Sequence, residues 1–266
     1  SAHGWPYRPH PGDRGHNLFQ GAILGHAGAL SIDTAAREQA WNRQRLERAV
    51  TAADFRVWPQ PRPAVVQGCS QHALRGGIAA RLPRGVALVE RSSGGGAVLS
   101  GPWMVSVSVA LPLDHAWATS GLEGYRQLGR VHAALLAGLG VATLPVPPEG
   151  VVRANQRWGG GVRWACFGSL APWELTDGEG RKLVGLAQRR QGHGVLLVAG
   201  TLCHAPDWPL LCDAMGSPGD VPWLQRVTVA CDALTDRAFS ATTLAEQLRR
   251  ALASELGTPQ CSSFAI

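Results

Sequence analysis

Lysine is almost absent from this chain, and the scarcity makes the one exception informative. The sequence contains 25 basic residues, and Lys182 is the only lysine among them. An arginine side chain is planar and keeps its charge, whereas a lysine ammonium is a compact donor whose pKa shifts readily. This count fits two explanations: the lysine was retained by chance, or its site requires an ammonium group. The motif around Lys182 is needed to distinguish them.

Charged residues and long apolar runs are also scarce. Charged residues make up 17% of the 266 residues and hydrophobic residues 45%, a composition that excludes a disordered acidic or basic chain. No apolar run reaches the length of a membrane span, and the first residues lack the basic-then-apolar pattern of a secretory signal. We therefore expect a protein with a substantial hydrophobic core and no association with membranes.

Cysteine pairs and runs of basic residues are missing as well. None of the six cysteines forms a Cys-x-x-Cys pair, and neither His193 nor His204 has a companion at metal-ligand spacing, so no metal site is predicted. In a chain of this length such cysteines are typical of reduced thiols in the cytoplasm. The net charge of +6 is spread along the chain, which favours acidic protein partners over nucleic acid.

The hydrophobic periodicity predicts helices and strands that are mixed without a regular βαβ alternation, which indicates an α+β fold. We expect a single domain over residues 31–256, between an irregular arm at 1–30 and a tail at 257–266. Residues 207–237 have a mixed pattern without a clear element. Helices are predicted over 31–53, 121–139 and 242–256, and strands over 55–58, 64–67, 86–90, 104–111, 162–167, 173–176, 182–189 and 195–203.

In two of these segments the spacing of apolar residues predicts which face is buried. In the first helix Ala36, Ala40 and Leu46 recur at near-helical intervals and are predicted to face the core. In the strand over 104–111 the valines alternate with serines. This alternation predicts one apolar face and one face of small polar side chains.

A run of three glycines follows the strand over 86–90, in the segment Arg91-Ser-Ser93-Gly94-Gly95-Gly96-Ala97. Successive glycines let a backbone approach a ligand closely and let its N–H groups converge on an anion. Arg91 would add a bidentate contact to a carboxylate or phosphate. The spacing differs from a Walker loop and from a dinucleotide-binding fingerprint. On the glycines alone, a hairpin turn without a ligand is the simpler explanation.

Lys182 begins a strand after the turn Asp177-Gly-Glu-Gly180, and Cys166 lies sixteen residues before it. A lysine at the edge of a strand is usually solvated, and a cysteine in an apolar segment is usually buried and inert. The two residues are more informative together, because a nucleophilic cysteine needs a nearby cation to lower its pKa. Their predicted strands are neighbours, so the two side chains could meet.

Together these segments resemble the biotin/lipoate protein ligase family, which includes lipoate ligases and octanoyltransferases. The resemblance covers residues 31–256 and implies an α+β domain of the biotin synthetase type, with a mixed β-sheet flanked by helices as in class II aminoacyl-tRNA synthetases. It rests on the order of Phe55-Arg-Val-Trp-Pro, Gly68-Cys-Ser-Gln71, the glycine loop, Trp173-Glu174-Leu175, the lysine motif from Gly180 to Gln188, and Gly200-Thr201-Leu202.

The resemblance also implies roles for individual residues. It makes Cys166 the nucleophile of an octanoyltransferase and Lys182 the cation that favours its thiolate and stabilises an oxyanion. No metal ligand is implied for this reaction. Substrate contacts are implied for Arg91, Ser93, Gly94, Gly95, Gly96, Ala97, Gly185, Gln188, Gly200 and Thr201.

Two chemistries are compatible with such a family. A transferase takes an octanoyl group from acyl carrier protein through a cysteine acyl-enzyme, and needs no cofactor. It passes the group to a lysine of a lipoyl domain, in an E2 subunit or the glycine cleavage H protein. A lipoate or biotin ligase instead uses ATP and Mg²⁺, with Lys182 contacting the carboxylate and the α-phosphate. Cys166 favours the transferase, whereas the run Gly94–Ala97 is equally typical of a ligase.

Three positions depart from the pattern of the family. Ser100 and Ala199 stand where histidines are common, and Leu186 replaces a common serine. All three positions are expected to lie near the substrate pocket. They motivate a third hypothesis, a relative that binds acyl groups or the carrier protein without catalysing transfer.

Overall fold

A six-stranded antiparallel sheet forms the centre of the structure, a computed structural model that describes residues 34–257. In spatial order its strands are β1 (Asp54–Pro59), β5 (Met104–Leu111), β9 (Gly194–Leu202), β8 (Lys182–Gln191), β7 (Leu175–Thr176) and β6 (Leu144–Pro145). A second sheet has the order β3-β2-β4, and its first two strands are parallel. It consists of β2 (Ala64–Gln67), β3 (Ala87–Glu90) and β4 (Val98–Ser100).

Helices cover both faces of the large sheet. The described part of the chain contains α1 (Thr34–Glu47), α2 (Arg75–Arg81), α3 (Gly121–Gly138), α4 (Val151–Arg157), α5 (Trp208–Met215), α6 (Val221–Val227) and α7 (Ala241–Leu256). The longest two, α3 and α7, pack on one face and form the main core with it, while α1 packs on the other face. A second core lies between the small sheet and the helices α2, α5 and α6.

The strand β5 has the two faces that its sequence predicts. Val105, Val107 and Val109 belong to the main core with α3 and α7. The serines point the other way, and Ser108 Oγ accepts a hydrogen bond from Trp58 Nε1 at 3.2 Å. All eight residues of β5 are buried, because helices lie on both sides of it.

Most of the predicted elements with strong local signals are confirmed. The helices over 121–139 and 242–256 and the strands over 104–111, 182–189 and 195–203 are present within one or two residues of their predicted bounds. The turn before Lys182 forms as expected, with the Asp177 N–H donating to the carbonyl oxygen of Arg181 at 3.0 Å. The short helices α2, α4, α5 and α6 were not predicted. Two of these, α5 and α6, lie in the segment that had no clear pattern.

The predicted strand over 162–167 is wrong. The segment closes on itself, since the N–H of Val162 donates to the carbonyl oxygen of Gly168 at 2.8 Å and the N–H of Ala165 donates to that of Val162 at 3.1 Å. A single 3₁₀ turn follows at Cys166–Gly168. The predicted strand over 173–176 is shortened to Leu175–Thr176.

The predicted face of α1 is only partly right. Leu46 is buried in a hydrophobic core, but Ala40 is exposed and Ala36 is only half-buried. The polar residues Glu38, Gln39 and Asn42 are buried as well. The apolar spacing missed them because the buried side of this helix is polar at its centre.

All described residues belong to one compact unit. The predicted arm at 1–30, the predicted start of the first helix at residue 31 and all of the predicted tail at 257–266 except Gly257 lie outside the described residues, so these boundaries stay predictions. Within residues 34–257, none of the helices combines the length and the hydrophobicity that crossing a membrane would need. The same residues contain no cluster of three His, Cys, Asp or Glu side chains suited to a metal ion.

A histidine is buried in α3. His132 is 1% exposed, and its Nδ1 lies 2.8 Å from the carbonyl oxygen of Leu128. Burial lowers the pKa of His132 from 6.5 to about 4. The unfolded chain therefore binds one more proton than the folded chain between these two pH values, and stability falls as the pH is lowered through this window.

When the pH falls from 7.5 to 4.5, the free energy of unfolding should decrease in both proteins. We expect this decrease to be about 2–3 kcal/mol smaller in His132→Gln than in the parent protein. Glutamine keeps a donor for the Leu128 carbonyl but does not titrate. Urea unfolding at both pH values, followed by tryptophan fluorescence, measures the difference. An equal loss in the two proteins would show that His132 does not cause the acid sensitivity.

Candidate active site

The glycine loop and the segment that carries Cys166 are joined by backbone hydrogen bonds. The N–H of Ala97 donates to the carbonyl oxygen of Trp164 at 2.7 Å, and the N–H of Cys166 donates to that of Ala97 at 2.9 Å. Gly96 permits this approach, because a Cβ there would lie 2.5 Å from the Trp164 oxygen. Gln71 adds a bond from its Nε2 to the same oxygen at 2.9 Å. Loop and cysteine therefore form one unit.

Arg91 organises the other side of the glycine loop. Its Nη2 donates to the carbonyl oxygen of Gly96 at 2.7 Å. Gly95 has a φ of +96° and leaves room for the guanidinium, since a Cβ there would lie 2.8 Å from Nη2. The side chain is buried, and its Nε has no hydrogen-bond partner among residues 34–257. This N–H is available to an oxygen of a ligand.

Lys182 lies behind the cysteine segment and is buried. Its Nζ is 2.7 Å from Glu174 Oε2, 2.7 Å from the carbonyl oxygen of Cys166 and 3.0 Å from that of Ser169. These three partners account for all three N–H donors of an ammonium group. Lys182 thus binds the backbone at both ends of the turn that starts with the cysteine.

Glu174 completes this buried ion pair. Its Oε1 accepts a hydrogen bond from the N–H of Leu186, and its Oε2 accepts one from the N–H of Ala171, both at 2.8 Å. Burial raises the pKa of Glu174, and the ammonium of Lys182 opposes that rise. The resemblance included Glu174 in a motif but gave it no role. The sequence signal for a role of Glu174 is its position three residues before the turn that leads to Lys182.

A cleft lies between α1, the glycine loop and the large sheet. It encloses about 630 Å³ of empty space, part of which is open to solvent. Gly185 and Gly200 are paired across β8 and β9, and their missing side chains leave room beside the ring of Phe167. The five predicted site residues that line the cleft are Cys166, Arg91, Ser93, Gly185 and Gly200.

The other predicted site residues lie outside this lining. Gly94–Ala97 form the loop behind it, and the Ala97 N–H is already bonded to Trp164. Lys182 is buried behind Cys166. Gln188 and Thr201 alternate along their strands with lining residues, so their side chains face the opposite side of the sheet. The predicted substrate contacts of these two side chains are therefore not supported by their positions.

The three residues that depart from the family pattern border the cleft in different ways. Ser100 lies on β4, Leu186 on β8 and Ala199 on β9. The side chains of Leu186 and Ala199 belong to the main core on the other face of the sheet, so these two residues meet the cleft through their backbones. The hydroxyl of Ser100 has no hydrogen-bond partner within the described residues.

The wall of the cleft contributed by α1 is polar, which the apolar spacing of this helix does not predict. Glu38, Gln39 and Asn42 line the cleft and are all buried. Gln60 Nε2 donates to Glu38 Oε2 at 2.8 Å, and the hydroxyl of Ser106 lies near this carboxyl and acts to lower its pKa. Burial raises the pKa of Glu38 to about 8, although the charge of Arg91 acts in the opposite direction. The carboxyl is therefore mainly protonated at neutral pH.

We expect Lys182→Met to lower the free energy of unfolding by about 3–5 kcal/mol, because it leaves the Glu174 carboxylate buried without a cation. The double variant with Glu174→Gln should recover part of this loss, since no charge then stays buried. Urea unfolding measures both variants. Arg130→Met, which removes an exposed ion pair with Glu255, is the control and should cost less than about 1 kcal/mol. A Lys182→Met variant no less stable than this control would contradict the assignment.

Comparison with known proteins agrees with the predicted resemblance. The profile of the lipoyl protein ligase A/B catalytic domain matches residues 33–228. The octanoyltransferase LipM of Moorella thermoacetica is 39% identical over 123 residues, which make up 45% of this chain. The match spans 41% of the length of that relative.

Solved structures share the fold at low sequence identity. A bi-partite lipoate protein ligase from Thermoplasma acidophilum has a TM-score of 0.61 and 15% identity, over 85% of this chain and 80% of that chain. A lipoate-protein ligase A bound with ATP has a TM-score of 0.58 and 16% identity, over 85% and 82%. The predicted α+β fold of sheets flanked by helices is confirmed. With its profile match extending over most of its length, the chain belongs to the lipoyl protein ligase A/B catalytic domain family.

Proposed function

We propose that this protein moves an octanoyl or lipoyl group from the thioester of an acyl carrier protein to a lysine of a lipoyl domain, through an acyl-enzyme on Cys166. The observation that carries the proposal is the position of this cysteine. It is half-buried in the wall of the cleft, between the glycine loop and the ion pair of Lys182. Membership of the family and the likeness to an octanoyltransferase support the same chemistry.

The reaction balances in two steps. The sulfur of Cys166 attacks the thioester carbonyl, a new carbon–sulfur bond forms, and the carrier thiol leaves with the proton that Cys166 gives up. The amine of the acceptor lysine then attacks the acyl-enzyme and forms an amide. Its proton returns to the sulfur of Cys166, which is released unchanged.

Lys182 acts in this proposal as a positioning residue. Its ammonium holds the carbonyl groups at both ends of the turn, and so fixes where the thiol of Cys166 points. Arg91 is the group that contacts the substrate oxygen, because it lines the cleft and has an unpaired Nε. Arg91, rather than Lys182, then stabilises the negative charge that develops on the substrate oxygen.

The charge of the protein suits the proposed partners. A net charge of +6 favours encounters with acidic carrier proteins, mainly by raising the rate of association. The T. acidophilum ligase that shares the fold was described together with its E2 lipoyl domain. We propose lipoyl domains of E2 subunits or of the glycine cleavage H protein as acceptors, and the cytoplasm as the location.

The ligase alternative fits the site less well. It requires an ammonium that reaches both an acyl carboxylate and the α-phosphate of ATP. The three donors of Lys182 are already bonded to Glu174, Cys166 and Ser169. The described residues therefore do not offer this ammonium to ATP.

We expect the protein to gain the mass of one octanoyl group when it is mixed with octanoyl-acyl carrier protein, because Cys166 takes up the acyl group. The adduct should map to Cys166, be absent from Cys166→Ala and pass to an added lipoyl domain. Cys69→Ala, which removes an exposed thiol outside the cleft lining, is the control and should still be acylated.

A parallel reaction with lipoate and Mg-ATP separates the alternatives. Modification of the lipoyl domain that depends on ATP and survives in Cys166→Ala would overturn the transferase and establish a ligase. No modification in either reaction would favour a relative that binds acyl groups or carriers without turnover.

A further inference from the structure

The cleft has two walls of opposite character. The floor on the large sheet consists mainly of small and apolar residues, Gly185, Ala187, Leu196, Val198 and Gly200, with Ser106 of β5 beside them. The wall facing it carries the polar side chains Glu38, Gln39, Asn42, Arg91 and Ser100. All five are buried. A pocket for a plain hydrocarbon chain would be expected to be apolar on both sides.

Three atoms of this polar wall lack hydrogen-bond partners within residues 34–257. They are Asn42 Oδ1, Ser100 Oγ and Arg91 Nε. Their side chains belong to residues that are 2%, 3% and 7% exposed, respectively. A buried polar atom without a partner costs about 1–3 kcal/mol, and folded proteins keep few of them. Arg91 Nε is the donor that the proposed reaction uses for the carbonyl oxygen of the substrate. Asn42 Oδ1 and Ser100 Oγ are therefore the two atoms left for another polar group of a ligand in the cleft that their residues line.

The polar wall lies about one acyl chain away from the cysteine. Ser106 pairs with Gly200 across β5 and β9, and Gly200 pairs with Gly185 across β9 and β8. Because neighbouring strands are about 4.8 Å apart, Ser106 and Gly185 are separated by about 10 Å. Glu38 lies near Ser106 in the lining of the cleft, and the ring of Phe167, next to the cysteine, lies against Gly185.

An extended chain of eight carbons has a matching length. Each bond of about 1.5 Å advances the chain by slightly less than its own length, so seven bonds span about 9 Å. The far end of an acyl group on Cys166 would therefore reach the region of Glu38 and Asn42. The polar wall is positioned to meet the distal end of the acyl chain.

We propose that this wall selects acyl groups that carry a neutral hydrogen-bonding function, such as a hydroxyl, near their distal end. The inference rests on the proposed acyl transfer and names the class of its substrate. Glu38, Asn42 and Ser100 are then the residues that determine specificity. A hydroxyl both donates and accepts, so it can pair with the oxygen of Asn42 and with the hydroxyl of Ser100.

Two ionisable residues of the wall, Glu38 and Arg91, explain why the hydrogen-bonding function of the acyl group should be uncharged. Glu38 is mainly protonated at neutral pH, because its burial raises its pKa to about 8. A protonated carboxyl offers a donor and an acceptor but no charge to attract a cation. The guanidinium of Arg91 would repel a cationic chain end. An uncharged polar group meets neither obstacle.

The test measures binding without turnover. Cys166→Ala cannot form an acyl-enzyme, so calorimetry at pH 7 can compare S-octanoyl-pantetheine with S-(8-hydroxyoctanoyl)-pantetheine. We expect the hydroxylated probe to bind about tenfold more tightly, the effect of one well-made buried hydrogen bond. Equal binding, tighter binding of the octanoyl probe or no binding of either probe would overturn the inference.

Variants of the wall assign the preference to its residues. In the Cys166→Ala background, Asn42→Leu should abolish or reverse the preference, and Ser100→Ala, a smaller change that a folded core tolerates better, should reduce it several-fold. Gln44→Leu on the same helix, outside the cleft lining, is the matched control and should keep it. If both wall variants still bind the hydroxylated probe more tightly, the wall does not contact the distal end of the acyl chain.

The binding result is independent of the proposed reaction. A tenfold preference in Cys166→Ala together with no acylation of the parent protein would overturn the acyl transfer but support the polar wall as a binding site. Acylation of the parent protein with no preference between the two probes would support the transfer and overturn the inference.

Discussion

The buried ion pair between Lys182 and Glu174 fixes the geometry on which the site depends. One ammonium joins the carboxylate beside β7 to the two carbonyl groups that bracket the cysteine turn. A compact ammonium donates in three diverging directions, whereas the donors of arginine lie in one plane. This difference explains why the only lysine of an arginine-rich chain stands at this position. Because desolvating two charges is costly, the pair contributes defined geometry more than net stability.

A second constraint acts from the opposite side of the cysteine. Cys166 is bonded through its N–H to Ala97, and Gly96 lets the two backbones come into contact. The cysteine segment is therefore held between the glycine loop on one side and the Lys182–Glu174 ion pair on the other. Small residues serve the same purpose on the floor, where Gly185 and Gly200 keep the space beside Phe167 open. The cleft depends on these glycines, because a side chain at Gly96 would collide with the backbone of Trp164 and side chains at Gly185 and Gly200 would fill the space beside the ring of Phe167.

The sequence predicted the elements whose signals are local. The alternation in β5 and the turn before Lys182 depend on neighbouring residues, and both formed as expected. The segment around Val162 has the composition of a strand, but Ala165 pairs with Ala97 of the glycine loop, 68 residues earlier (165 − 97), and no local pattern contains that partner. Gln188 and Thr201 were placed in the site by their motifs. The two-residue period of a strand already puts them on the opposite side from Gly185 and Gly200.

The polar face of α1 escaped prediction for a different reason. Burial normally selects apolar side chains, so a helix is assigned its core face from its apolar residues. Here Asn42 and its neighbours are buried because they line a cleft rather than a core. The lysine pair and the cysteine lie on other segments, so the wall that α1 contributes can change without altering the catalytic groups. Ser100, which stands where the resemblance implies a histidine, is part of that same wall and adds a buried hydroxyl to it.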